Sequence, residues 1–187
     1  MTQLVEDLLF LARTDTARAE MPLEPIDVRG VLTGVCTEIR GLAERCQVEV
    51  VSRLGDEEAI VSGNAAALHR LFLVLLDNAL KYSHRGGTVT VALERAGHRV
   101  SIVVEDSGAG IGPADLPHIF ERFYRAAGSR GDGGHGLGLS LAQSIAKAHG
   151  TAIEAASRPG AGSKFRVTFE LRAAGRRRPE RETFPAG

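Results

Sequence analysis

The 187 residues are 43% hydrophobic and 25% charged, with 23 basic side chains balanced by 23 acidic ones. That composition excludes wholesale disorder, and zero net charge argues against a dedicated nucleic-acid binder, which carries a basic excess. No apolar run approaches the ~18 residues of a membrane helix and the first twelve residues lack a signal peptide's basic start, so a soluble cytoplasmic domain with a short appendage is expected.

Thr2 to Ala12 set Leu4, Leu8 and Leu11 on one helical stripe with no earlier element to cover it. Residues 16–26 are polar, contain Pro22 and Pro25, and read as a linker. Asp27 is a good N-cap for one helix running to Cys46. Within it Cys36 and Cys46 would lie ~15 Å apart, too far for a disulfide, which fits a reducing compartment.

Two β-like runs, Val48 to Ser52 and Ala59 to Ser62, flank a Gly55-Asp56 turn. Asn64 can cap a helix reaching about Ser83, whose apolar stripe is Leu68, Phe72, Leu75, Leu76 and Ala79. Thr88 to Glu94 and Arg99 to Glu105 read as a hairpin across Ala96-Gly97-His98. Pro113 can open a helix whose apolar face is Leu116, Ile119, Phe120 and Phe123. Residues 126–136 hold five glycines and form a loop, and a helix follows from Leu137 to His149, stopped by Gly150. Thr151 to Ser157 and Ser163 to Leu171 make the last strand pair, and the tail from 172 to 187 is charged, proline-bearing and expected to be disordered. Mixed helices and hairpins predict an α/β two-layer sandwich, with a mixed, largely antiparallel sheet and helices on one face.

Three segments carry chemistry. On the helix over 65–83, Asn78, Lys81 and Tyr82 are neighbours at i, i+3 and i+4, offering a neutral oxygen for Mg²⁺, a cation for phosphate and a ring for a base. A solvated face would look the same. Asp106 to Gly112, with Gly108, Gly110 and Ile111, puts a carboxylate and close-packing glycines at a strand end. It is not a dinucleotide fingerprint, because the third glycine is misplaced. Gly134, His135, Gly136, Leu137, Gly138 and Leu139 feed a flexible run into a helix N-terminus, where free N–H groups and the dipole attract phosphate. No Gly-Lys-Ser/Thr closes it, so it is not a Walker A loop.

Taken in order, these segments resemble the catalytic ATP-binding domain of bacterial sensor histidine kinases, in the superfamily of gyrase, MutL-type ATPases and heat-shock chaperones. Leu75 to Ser83 is similar to the N box and Asp106 to Gly112 to the first glycine box. Ile119 to Arg125 is similar to the F box, Gly134 to Leu139 to the second glycine box, and Gly160 to Phe165 to the closing one. The resemblance implies a Bergerat-type fold over residues 27–171 that binds ATP and Mg²⁺. Asp106 would hold the adenine amino group, and Gly108 and Gly110 would let backbone and water approach the base. Asn78 would hold Mg²⁺, with Lys81 nearby and Tyr82 against adenine. Arg125 would reach the terminal phosphate, and Gly136 to Leu139 would cradle the phosphates under a lid over 126–135.

It also implies protein histidine kinase activity, with a response regulator as partner and a membrane-bound full-length receptor as a compatible setting. None of His69, His84, His98, His118, His135 and His149 is followed by Asp or Glu as an acceptor histidine would be. Residues 1–15 look like the end of a second dimerisation helix, so the acceptor is expected upstream of Met1 or in trans, and this chain alone is not expected to phosphorylate itself. Val74, four positions before Asn78, cannot activate water, which argues against a gyrase-like hydrolase. The alternatives within the fold are an anti-sigma-type serine kinase and a non-catalytic nucleotide-sensing module.

Overall fold

The computed structural model describes residues 21–126 and 135–172; the stripe from Leu4 to Leu11, Gly134, most of the expected lid and the charged tail lie outside the described residues. The first described element corrects the linker reading. Glu24–Asp27 is a strand, β1, antiparallel to β3, Ile60–Gly63, with Pro25 opposite Ser62. Proline is tolerated because this is a two-stranded ribbon in which an edge position needs no ladder N–H. Asp27 fixes the junction, its Oδ1 accepting from the N–H groups of Arg29 at 3.1 Å and Ala59 at 2.9 Å.

The expected single helix is two, α1 at Val28–Glu38 and α2 at Arg40–Cys46. Thr33 and Thr37 donate their hydroxyls to the carbonyls of Arg29 and Thr33, each at 2.9 Å, a back-bonding that bends helices just before the break at Ile39. The two β-like runs belong to different sheets. β2, Glu49–Arg53, lies parallel to β4, Thr88–Ala96, whereas β3 pairs with β1.

The five-stranded sheet has the order β2-β4-β5-β7-β6, where β5 is Arg99–Asp106, β6 Ile153–Ser157 and β7 Ser163–Glu170. Every pairing except β2 with β4 is antiparallel. One face is apolar: Val89, Val91, Val100, Ile102, Val104 and Val167 are fully or almost fully buried. Against it pack α3, Ala65–Tyr82, and α4, Gly138–Ala148. The whole predicted stripe of α3, from Leu68 to Ala79, is buried. The other sheet face carries Glu94–Arg166 at 2.9 Å and Glu105–Lys164 at 2.8 Å, partly exposed pairs that decorate more than they stabilise. Helices on one face are therefore as expected. No helix among the described residues is long and apolar enough to cross a membrane.

α3 and α4 run antiparallel, and one end of the pair is tied by His149. Its Nε2 accepts from the Asn64 N–H at 3.0 Å, and its Nδ1 faces the Ile145 carbonyl at 2.8 Å. Only the neutral ring protonated on Nδ1 satisfies both contacts. Burial holds its pKa below 6.5, opposed by the Ile145 carbonyl. In the unfolded chain the ring takes its proton first, so stability is complete above pH 6.5 and falls as pH drops toward the folded value. The urea midpoint is therefore expected to fall between pH 7.5 and 5.5, with a smaller fall in His149→Gln.

The last hairpin turns through Gly160 and Gly162, at φ +75° and +77°. A Cβ on Gly162 would stand 1.8 Å from the Asp106 carbonyl oxygen, whereas one on Gly160 would meet nothing within 4 Å. Gly162→Ala is expected to cost about 3–4 kcal/mol in urea denaturation and Gly160→Ala about 1 kcal/mol.

Candidate functional site

The expected helix after Pro113 does not form. Leu116–His118 is a single 3₁₀ turn, and Pro117 lacks the N–H that a longer helix would use there. Phe123 then takes φ +64°, and its side chain is 63% exposed rather than part of an apolar face. This irregular stretch forms one wall of a cleft of about 920 Å³ whose floor is α3 and whose far wall is the start of α4.

The floor is one face of α3, where Lys81 and Tyr82 lie toward its C-terminal end and Asn78 one turn earlier. Lys81 Nζ is 5.5 Å from the Tyr82 ring centroid, and Tyr82 is 39% exposed. Stepping back along the same face come Asp77, Val74, Leu73 and Arg70, all cleft-lining. Burial raises the Asp77 pKa, while the positive charges of Lys81 and Arg70 hold it down. The sequence reading missed Asp77 and Arg70 as cleft residues. Extending the i, i+4 spacing backwards from Asn78 would have reached Val74 and Arg70.

One end of the cleft is built by β5 and the loop after it. Asp106 is 6% exposed, and its Oδ1 accepts from the Gly108 N–H at 2.9 Å. Burial raises its pKa, and the hydrogen bonds from Gly108 and Ser163 oppose that rise. Gly110, Ile111 and Ala109 line the cleft beside it. Gly108 does not line it. A Cβ there would meet the Tyr82 carbonyl oxygen at 2.0 Å, so this glycine lets the loop lie against the end of α3, where the Ala109 N–H reaches the same carbonyl at 3.2 Å.

The other end is the start of α4. His135, Gly136, Leu137, Gly138 and Leu139 line the cleft, as does Arg125 from the facing wall. Leu137 caps α4 without any side-chain hydrogen bond, and the Ser140 hydroxyl donates to the Leu137 carbonyl at 2.8 Å instead of receiving an N–H. Among the described residues no side chain caps this 11-residue helix, and its first N–H groups stand at the positive end of its dipole, where an anion is favoured. A Cβ on Gly138 would lie 3.3 Å from Val74 Cγ1 and 3.9 Å from Asn78 Nδ2, so the helix start abuts Asn78.

Among the described residues no group of three or more His, Cys, Asp or Glu side chains could hold a metal. Asn78 offers one neutral oxygen beside an anion-receiving helix start, which suits a hydrated Mg²⁺ carried in on phosphate oxygens rather than a resident ion. The residues fit an ion that arrives with its ligand.

Residues 63–173 match the family described as histidine kinase-, DNA gyrase B- and HSP90-like ATPase. The chain is 37% identical to the sensor protein SphS of Synechococcus elongatus over 172 residues, 87% of this chain and 41% of SphS. It superposes on the mycobacterial sensor histidine kinase MprB with a TM-score of 0.69 at 29% identity, covering 80% of this chain and 98% of the other. With full-length ShkA in complex with AMPPNP the TM-score is 0.80 at 27% identity, over 92% of this chain and 36% of ShkA. The chain spans about two fifths of the length of its curated relative SphS.

Proposed function

The chain belongs to the family of histidine kinase-, DNA gyrase B- and HSP90-like ATPases, and on that premise we propose that its cleft binds Mg·ATP and donates the γ-phosphoryl group to a histidine outside this chain. The observation that carries this reading is the pairing of two opposite chemistries in one cleft. A buried carboxylate, Asp106, stands at one end, and a helix start without a side-chain cap, next to Asn78, stands at the other. The first suits an exocyclic amine and the second a phosphate chain. The AMPPNP in the ShkA complex supports ATP as the ligand.

In this reading Asp106 accepts from the adenine amino group, and Tyr82 packs against the base beside Gly110 and Ile111. The Gly136 to Leu139 backbone, Lys81 and Arg125 neutralise phosphate charge, and His135 lies alongside. Mg²⁺ bound with ATP supplies charge neutralisation across the phosphates, and Asn78 is the side chain that would hold it. The acceptor imidazole nitrogen forms a bond to the γ-phosphorus as the bond to the β-phosphate oxygen breaks, and ADP leaves with that electron pair. Catalysis by position and charge suffices, because the protein forms no covalent bond itself. Val74 presents only methyl groups where a water-activating side chain would stand, which favours transfer over hydrolysis.

A dimerisation domain carrying the acceptor histidine, and a response regulator downstream, are the partners this reading requires. The test incubates the chain with [γ-³²P]ATP, Mg²⁺ and the dimerisation domain of a relative. Acid-labile, base-stable label on the added domain is the expected result. Acid-stable label on serine would instead indicate a serine kinase, and saturable ATP binding without label on any acceptor would indicate a nucleotide-sensing module.

A further inference from the structure

Asp115 and Tyr124 line the cleft, yet none of the roles above uses them. The Tyr124 hydroxyl donates to Asp115 Oδ1 at 2.6 Å, and both residues are half-buried. Their position follows from their backbone ties. Asp115 donates its N–H to the Gly112 carbonyl at 3.0 Å, so it is fixed to the end of the loop that begins at Asp106. Tyr124 follows Phe123, whose N–H reaches the Gly136 carbonyl at 2.8 Å at the entrance to α4. The Asp115–Tyr124 pair therefore bridges the carboxylate end of the cleft to its anion end.

A nucleotide has the same covalent order, with base, then ribose, then phosphates. Resting on the Mg·ATP reading, we propose that Asp115, held by Tyr124, accepts hydrogen bonds from the ribose hydroxyls and makes the site selective for ribonucleotides. A carboxylate is the natural acceptor for a vicinal diol, as in dinucleotide sites where an acidic side chain takes the ribose hydroxyl. The Tyr124 hydrogen bond occupies Oδ1 and fixes the carboxylate plane, which leaves Oδ2 as the acceptor for the sugar. Asp115 is then a specificity-determining residue and Tyr124 a positioning residue. His118 packs against Tyr124 with ring centroids 5.5 Å apart and planes tilted by 34°, and its Nδ1 pairs with Glu121 at 2.7 Å.

The test is calorimetric titration of the full chain with Mg·ATP and with Mg·2′,3′-dideoxyATP, repeated on Asp115→Asn and Tyr124→Phe. The unaltered chain is expected to prefer ATP about tenfold, the scale of one or two hydrogen bonds to a charged group. Both substitutions should bring the two ligands within about twofold by weakening ATP alone. Tyr124→Phe keeps the ring and its packing, so it reads the hydroxyl's role should Asp115→Asn fold poorly. Equal binding of ATP and the dideoxy analogue by the unaltered chain overturns this proposal and leaves the Mg·ATP reading standing. So does tenfold discrimination that survives both substitutions. Absence of any ATP binding overturns both together.

Discussion

Asp106→Asn is expected to weaken Mg·ATP binding by about 100-fold while leaving the folded chain as stable as before or more so. The two effects separate because the carboxylate is costly to the fold and useful to the ligand. Burial raises its pKa above the usual 3.8, so its contribution to stability is complete below that value and is lost as pH rises through the folded value. At neutral pH the buried charge is a net cost that asparagine removes. Asparagine keeps an oxygen to accept the Gly108 N–H, so the loop geometry should persist. The ligand loses a charge-assisted hydrogen bond and can meet an amide NH₂ facing its own amine, a loss on the order of 1.5–3 kcal/mol. Calorimetric titration alongside thermal unfolding reads both quantities. Affinity within threefold of the original would remove Asp106 from the base site.

Asn78→Ala is expected to abolish the gain in ATP affinity that Mg²⁺ confers, with little change in affinity measured in EDTA. Phosphoryl transfer should fall about 100- to 1000-fold, the scale of removing one group that stabilises transition-state charge. Asn78 is only half-buried and stands on the cleft face of α3, opposite the buried stripe from Leu68 to Ala79, so the truncation opens no cavity in the core. Titrations with and without Mg²⁺ read the first effect and label transfer the second. A Mg²⁺ dependence unchanged in Asn78→Ala would place the ion on other groups.

Much of this arrangement is legible in the chain because local rules act there without competition. Asn64 caps α3 by accepting from the Ala67 N–H at 3.0 Å, and the stripe at helical spacing is buried as its periodicity demands. Gly97 at φ +61° and Gly150 at φ +72° end their elements where glycine is best suited to the turn. The cleft face of α3 was readable for Asn78, Lys81 and Tyr82 because they fall within one turn. Arg70 and Asp77 were not singled out, since charged residues on a helix are ordinarily solvated and only the fold brings Glu38, Leu42 and Arg125 to the same cleft.

Misreadings fall where distant contacts overrule local pattern. Pro25 looked like linker because no sequence rule announces its partner Ser62, thirty-seven residues away. The segment from Leu116 to Phe123 has helical spacing, yet Pro117 and the Phe123–Gly136 hydrogen bond hold it irregular. The missing side chain of Gly108 also makes room for the Tyr82 carbonyl, a contact no local pattern announces. The Asp115–Tyr124 hydrogen bond spans nine residues of irregular chain, beyond any periodic signal.

The most direct measurement is isothermal titration of the intact chain with Mg·ATP, followed by Mg·GTP under the same conditions. One saturable site for ATP is expected, with at least tenfold weaker binding of GTP, whose ring carries a carbonyl where adenine offers its amine to Asp106. No saturable binding at millimolar ATP, or equal affinity for the two nucleotides, would contradict this expectation.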